Sequence, residues 1–232
     1  MGTLWERLVL EAPEFFNSYN LLFLAEAAAR TLGMTAIGCS IGFVAGLALA
    51  VLRGSRAATL APARWLAVLY VETFRRIPFL VILFVVLYAI QPLFPDASLT
   101  AIATVAICLL STAYLSEIVR AGLESVPRQQ LEAAEVLNFG PARALFQVVL
   151  PQSWRVILPP AVAFAVMFIK DTALASHMGV VELTFAGKIF VERGFSPVLG
   201  FGAILVLYFA LSWPLSRLGA YLEKRLAPAR HP

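Results

Sequence analysis

The sequence predicts an all-α membrane protein with about five transmembrane helices and a cytoplasmic helix–turn–helix loop. Two observations carry the membrane reading. Of the 232 residues, 60% are hydrophobic and only 14% charged, against roughly 45–50% and about 25% in soluble domains. Charge is also absent from long stretches: Thr31–Leu52, Ile77–Pro95, Ser98–Ser116 and Gly194–Ser216 contain none. Each run is near the roughly 20 residues that cross ~30 Å of hydrocarbon as a helix. Backbone in lipid must satisfy its own N–H and C=O groups, which restricts these runs to helix. A third observation, the placement of Lys and Arg, orients them.

Taken in order, residues 1–30 read as an extracytoplasmic amphipathic lead-in carrying Phe15, Phe16, Tyr19, Leu22 and Phe23. A signal-peptide reading fails, because Glu6, Glu11 and Glu14 stand where a basic region belongs. Residues 31–226 form the transmembrane domain, with a loop at about 120–152. The first span is Thr31–Leu52. Ala63 to Ile90 is expected to be one long helix bent near Pro78, since proline removes a backbone donor and clashes one turn back. The third span follows Ser98. Arg155 to about Val181 is a fourth, with an irregular outer part because Lys170-Asp171 interrupts its apolar character. The last runs from Gly194 to Ser216. Residues 227–232 are a cytoplasmic tail.

Five spans put the termini on opposite sides. One side holds Arg53, Arg56, Arg64, Arg120, Arg128, Arg143, Arg155, Arg217, Lys224, Arg225 and Arg230; the other holds Arg7, Arg30, Lys188 and Arg193. The richer side is cytoplasmic by the positive-inside rule. The N-terminus is then outside, and the loop and C-terminus are inside. The formal charge of +4 is a topology signal, with no aromatic-interleaved basic patch to suggest nucleic acid. Cys39 and Cys108 fall within apolar runs and read as small packing residues, without CxxC or metal-ligand spacing. Trp65, Trp154 and Trp213 stand near span ends as interfacial anchors.

The loop has its own local logic. Ser125 can cap a helix and Pro127 suits its first turn. Gln129 to Leu137 are good helix formers, with Leu131, Ala134 and Val136-Leu137 as an apolar stripe and Arg128, Glu132 and Glu135 elsewhere. Asn138-Phe139-Gly140-Pro141 ends the helix, since Asn and Gly tolerate the left-handed region. A second short helix, Ala142 to Val149, leads to Leu150-Pro151 and back to the membrane. The product is a knob able to dock in a partner's groove.

Glu132-Ala133-Ala134, the turn-former Asn138, Val148 and Leu150-Pro151 resemble the cytoplasmic coupling loop (the EAA loop) of ABC-type importer permeases, with Asn138 where Gly is usual. Three further stretches are similar to the histidine/glutamine/arginine/opine permeases: Val71 to Val81, Ala113 to Gly122, and Lys170 to Ser176 followed by Glu182-Leu183-Thr184. In the first, Arg76 and Ile77 replace the usual Gly and Thr. The likeness covers roughly residues 31–226. It implies a permease subunit in a bacterial inner membrane, paired with a second copy or a homologue and clamped by a dimer of ATP-binding subunits. An extracytoplasmic binding protein would deliver a polar amino acid or related solute. This chain would bind no cofactor, with ATP and Mg on the partner ATPase. The coupling surface would be Glu132, Ala133, Ala134, Asn138, Gly140, Leu150 and Pro151.

Other polar residues mark candidates for the pathway. Charge within a span is costly unless paired or hydrated. Lys170 and Asp171 are either a neutralising structural pair or part of a transport cavity, where Asp171 would attract a solute ammonium group; Thr172, Ser176 and His177 follow them. Arg75 and Arg76, around Pro78, either snorkel or partner Glu72 and Glu117 at a gate. No GxxxxGK[ST] loop, HExxH or nucleophile–base set is present, so the chain is not expected to be an enzyme. The competing class is an ion-coupled secondary transporter of small polar solutes, which would explain Lys170-Asp171 but not the knob. A non-transporting assembly subunit would explain the spans alone.

Overall fold

The computed structural model describes residues 4–55 and 57–226. Arg56, Arg230, His231 and the tail from residue 227 lie outside the described residues. Among the described residues ten α-helices follow one another: α1 (Leu4–Phe15), α2 (Ser18–Gly54), α3 (Ala61–Arg76), α4 (Phe79–Ile90), α5 (Leu99–Glu124), α6 (Arg128–Val136), α7 (Pro141–Ala144), α8 (Leu150–Asp171), α9 (Leu183–Glu192) and α10 (Pro197–Leu226). Among the described residues four helical stretches are long and apolar enough to cross a membrane: Ser18–Gly54, Leu99–Glu124, Pro141–Met178 and Pro197–Leu226. A bent pair, Ala58–Arg76 with Phe79–Ile90, makes a fifth if counted as one span.

That pair corrects one expectation. Ala63 to Ile90 is not a single bent helix, because the chain turns by 115° at the break. Ile77 takes φ −91°, ψ 135° and Pro78 φ −57°, ψ 136°. A residue before proline is pushed out of the α region, and here two consecutive extended residues end α3 outright. The Pro78 carbonyl then accepts from Val81 N at 3.0 Å and starts α4.

The helix that carries the first expected span starts before it. α2 begins at Ser18 and runs unbroken through Arg30 and Thr31. Its 37 residues reach roughly 55 Å at 1.5 Å per residue, well beyond the hydrocarbon thickness.

By compactness the chain forms two units. The first comprises residues 1–38, 78–108 and 166–214. Its core gathers Phe15, Leu24, Ala27, Leu183, Ala186, Phe190 and Ile204. The Phe15 ring lies 4.7 Å from that of Phe190 and 5.3 Å from that of Phe195, the latter edge-on. Phe16, Tyr19 and Leu22, by contrast, are exposed. The irregular outer part expected after Lys170 is a 3₁₀ turn, Thr172–Met178, that continues from α8. It closes at Gly179 with φ 86°, and Gly194 closes α9 in the same left-handed way, with φ 95°.

The second unit comprises residues 39–77, 109–165 and 215–232. Ala50, Val119 and Ile157 form its buried centre, with Phe43, Leu47, Ile118 and Leu123 around them. α2 and α5 meet there through glycine. A Cβ on Gly42 would sit 2.2 Å from Ser111 Oγ, and one on Gly46 would sit 2.7 Å from the Ser116 backbone nitrogen. Small residues at four-residue spacing let helix backbones approach in membranes. In the first unit Gly38 meets Ile107 in the same manner.

Candidate functional site

The loop after α5 departs from the expected detail at both ends. Ser125 caps nothing: its hydroxyl donates back to the Gly122 carbonyl at 2.6 Å, and α6 starts after Pro127 without a side-chain cap. A hydroxyl near a helix end has a local carbonyl within reach and takes it. The expected second short helix, Ala142 to Val149, is not separate either. α7 passes through a π-turn, Leu145–Val149, directly into α8, so Leu150-Pro151 opens the long helix. Pro151 offers no backbone donor to the continuing helix, and the π-turn stands immediately before it.

The turn itself is as its residues require. Asn138 takes φ 55°, the one positive value among the described non-glycine residues. Asn138 N donates to Glu135 O at 2.9 Å and Phe139 N to Ala134 O at 3.0 Å. These two bonds are those of a Schellman motif, in which a left-handed residue satisfies the last helical carbonyls. Gly140 is not left-handed, with φ −66°; it extends the chain so that Pro141 can begin α7. Arg143 lies over the Phe139 ring at 4.2 Å and donates to Gln147 Oε1 at 3.0 Å.

This closure sorts the coupling candidates. Glu132 and Ala133 are exposed, as are Asn138, Gly140 and Pro151, while Leu150 is half-buried. Ala134 is only 3% exposed, so it packs inward and does not join the outward face. The apolar stripe is largely outward: Val136 is 82% exposed, Leu137 68%, and Phe146 of the π-turn is exposed beside them.

Elsewhere in the second unit, Glu117 is the centre of an ion-pair cluster. Arg53 donates to Glu117 Oε2 at 2.9 Å and Arg75 lies 3.7 Å from the same oxygen. Arg120 binds the other oxygen and also Glu124. Arg76 pairs instead with Glu72, at 2.6 Å on the exposed face of α3. The structure thus brings Arg75 to Glu117 and Arg76 to Glu72. Sequence reasoning missed Arg53, whose partner is 64 residues away.

The pathway candidates belong to the first unit. Lys170 and His177 are exposed, Asp171 is half-buried, and Thr172 and Ser176 are buried. Thr172 Oγ1 donates to the Ile169 carbonyl at 2.6 Å, and Ser176 Oγ accepts from Lys188 Nζ at 3.1 Å. Next to them lies Glu182, fully buried. Its carboxylate caps α9 by accepting from Thr184 N at 2.9 Å and Phe185 N at 2.8 Å. The Tyr208 hydroxyl donates to it at 2.8 Å. Burial pushes the Glu182 carboxyl above the usual range, while these bonds from Thr184, Tyr208 and Phe185 pull it back. Lys188 and Tyr208 were not among the candidates; the sequence signal for the group was Glu182-Leu183-Thr184 in the family-like stretch, with Glu182 just before an apolar helix.

Residues 40–228 match the family described as "Binding-protein-dependent transport system inner membrane component". The chain belongs to this family. It is 32% identical over 220 residues to a probable glutamine ABC transporter permease protein of Bacillus subtilis, covering 91% of this chain and 99% of the relative. It is 34% identical over 192 residues to the L-cystine transport system permease protein of the same organism, covering 80% of each. A crystal structure of an amino acid ABC transporter with histidines superposes with a TM-score of 0.80 at 25% identity, covering 97% of this chain and 100% of that one. As a member of the family, the chain is a multi-pass permease component of an ABC importer in the inner membrane. It assembles with an ATPase, and ATP hydrolysis lies in that separate subunit.

Proposed function

We propose that this permease imports a polar amino acid or related solute, handed over by an extracytoplasmic binding protein. Two permease subunits, identical or homologous, pair over a dimer of ATP-binding subunits, which hold the ATP and Mg. The amino-acid relatives support the solute class. The observation that carries the mechanism is the Schellman-closed turn at Asn138, which leaves Glu132, Ala133, Val136 and Leu137 exposed between two membrane-length helices. An exposed apolar face flanked by a carboxylate fits a groove on a partner. Glu132 takes a charge-assisted bond there. When the ATPases close on ATP, the knob moves with them and the membrane helices change the side to which they open.

The orientation has its own support. The sequence places eleven Lys and Arg on the side of the coupling loop and four, Arg7, Arg30, Lys188 and Arg193, on the other. This is the asymmetry the positive-inside rule requires for an outside N-terminus and a cytoplasmic loop. Residues 31–226 act as the permease domain, with residues 1–30 as lead-in. Asp171 serves the pathway by attracting an ammonium group, with Lys170, Thr172, Ser176 and His177 around it. Glu72, Arg75, Arg76 and Glu117 form the gate.

Reconstitution with the ATPase and binding protein tests this reading. Polar amino acids, screened singly, are expected to stimulate ATP hydrolysis and to be taken up only with ATP. Uptake that follows an ion gradient without ATP would sink the reading in favour of secondary transport.

A further inference from the structure

The second unit contains a cleft of about 390 Å³ lined by Arg53, Ala61, Arg64, Trp65, Val68 and Arg120. Its volume falls within the roughly 300–1,000 Å³ of small-ligand sites. Three of its six lining residues are arginines from three different helices, α2, α3 and α5. Arg53 and Arg120 share the Glu117 carboxylate with Arg75, and Arg120 also holds Glu124. Arg64 is held by a neutral acceptor, the Ser55 carbonyl. Three guanidinium groups of the cleft, Arg53, Arg64 and Arg120, therefore face two carboxylates, Glu117 and Glu124, which leaves positive charge in the cleft. A guanidinium has five donors in a fixed fork, so each can bind an anion beyond its present partners.

The depth of the cleft follows from the chain. Arg53 ends the uncharged run of α2, and Arg120 follows the uncharged run of α5 within one turn. Both thus stand where hydrocarbon gives way to headgroups. Trp65 is 65% exposed, and Leu60, Leu66, Val68 and Leu69 are exposed along the same stretch. An exposed Trp beside Arg at a span end marks the interfacial layer, and the apolar side chains of α3 offer a bed for acyl chains. Arginine matches the planar oxygens of a phosphate, and basic pockets between membrane helices hold anionic headgroups.

From this geometry we infer that the cleft binds the phosphodiester headgroup of an anionic phospholipid, which ties α2, α3 and α5 together beside the Glu117 cluster. Arg64 supplies the uncompensated charge, Arg53 and Arg120 supply further donors, and Trp65 lies at the mouth.

The test uses the full chain in phosphatidylcholine nanodiscs, titrated with phosphatidylglycerol, with bound lipid counted by native mass spectrometry. One phosphatidylglycerol per chain should bind in preference to phosphatidylcholine. Arg64→Gln should weaken binding at least tenfold, whereas Arg7→Gln, which removes an exposed charge of the first unit, should change it less than twofold. Ala61→Glu guards against misfolding of the first variant. It places a carboxylate in the cleft at the first turn of α3, where acidic residues suit the helix dipole, and should also abolish the preference. Circular dichroism establishes that each variant is folded. Equal binding of both lipids, unchanged binding in the folded Arg64→Gln and Ala61→Glu variants, or equally tight binding of inorganic phosphate would each overturn the inference.

Discussion

Gly46→Ala is the most demanding test of how the second unit holds together. A Cβ at position 46 would lie 2.7 Å from Ser116 N, 3.1 Å from Leu115 C and 3.1 Å from Thr112 O. All three are backbone atoms of α5, so no side chain can rotate away. Non-bonded heavy atoms prefer about 3.5–4.0 Å, and relief therefore requires the helices to separate by roughly an ångström. Overpacking of this kind costs about 1–3 kcal/mol. Gly33→Ala is the control, because nothing lies within 4 Å of its Cβ. It should stabilise the helix by up to about 1 kcal/mol through propensity alone. For chains of this length each kcal/mol moves Tm by roughly 2–4 °C, so the two alanine variants should differ by on the order of 5–10 °C. Thermal unfolding in lipid nanodiscs reads this directly. The separation should also loosen Arg53 from Glu117, two turns further along α2, and lower solute-stimulated ATP hydrolysis. If Gly46→Ala melts with Gly33→Ala, the close approach of α2 and α5 is wrong.

The remaining predictions concern the coupling turn and the pathway. Asn138→Gly should be neutral or slightly favourable and Asn138→Val should cost about 1–2 kcal/mol locally, since only the latter is strained at φ 55°; equal ATPase coupling in the two variants would remove the turn argument. Glu132→Lys should uncouple transport or weaken assembly while Tm stays unchanged, because the side chain is exposed; normal co-purification and normal uptake would contradict the docking role. Asp171→Asn removes a charge at nearly constant shape and should abolish or reshape solute uptake with basal ATP hydrolysis intact; unchanged uptake kinetics at normal expression would make Asp171 a structural partner.

What could be read from the sequence was what local chemistry dictates. The left-handed residue at Asn138 follows from Asn-Phe-Gly-Pro after a run of helix-forming residues, and the Schellman bonds need no distant partner. The break at Pro78 was legible as a position but not as an angle. One proline bends a helix, whereas two consecutive extended residues, Ile77 and Pro78, turn the chain sharply, and the pre-proline restriction on Ile77 was not weighed with the proline itself. The independence assigned to the helix after Gly140 failed for the opposite reason: a π-turn lets the chain stay helical across Leu150-Pro151 where turn chemistry suggested a stop. Gly38, Gly42 and Gly46 carry a readable four-residue spacing for helix approach. Arg53 with Glu117 and Glu182 with Tyr208 could not be read locally, because their partners lie 64 and 26 residues apart with no periodicity linking them.

The Glu117 cluster then bears on how firmly the end of α3 is held to α5. Glu117 holds Arg53 at 2.9 Å and Arg75 at 3.7 Å on one oxygen. The Arg53 contact is a hydrogen bond within the charge-assisted range, whereas the Arg75 contact is beyond it. Arg75 also lies over the Tyr114 ring, 5.8 Å from its centroid, and its carbonyl accepts from the Tyr114 hydroxyl at 3.4 Å. The end of α3 is thus tied to α5 by several weak contacts, while α2 is tied to α5 by a strong pair and by glycine packing. Exposed or half-exposed ion pairs contribute about 0–1 kcal/mol, an amount that differential contacts with a docked partner can supply. Displacing the end of α3 from α5 therefore breaks only weak contacts beyond the Tyr70 hydroxyl, which donates to the Leu109 carbonyl at 2.6 Å, whereas separating α2 from α5 would break the strong pair and the close glycine packing.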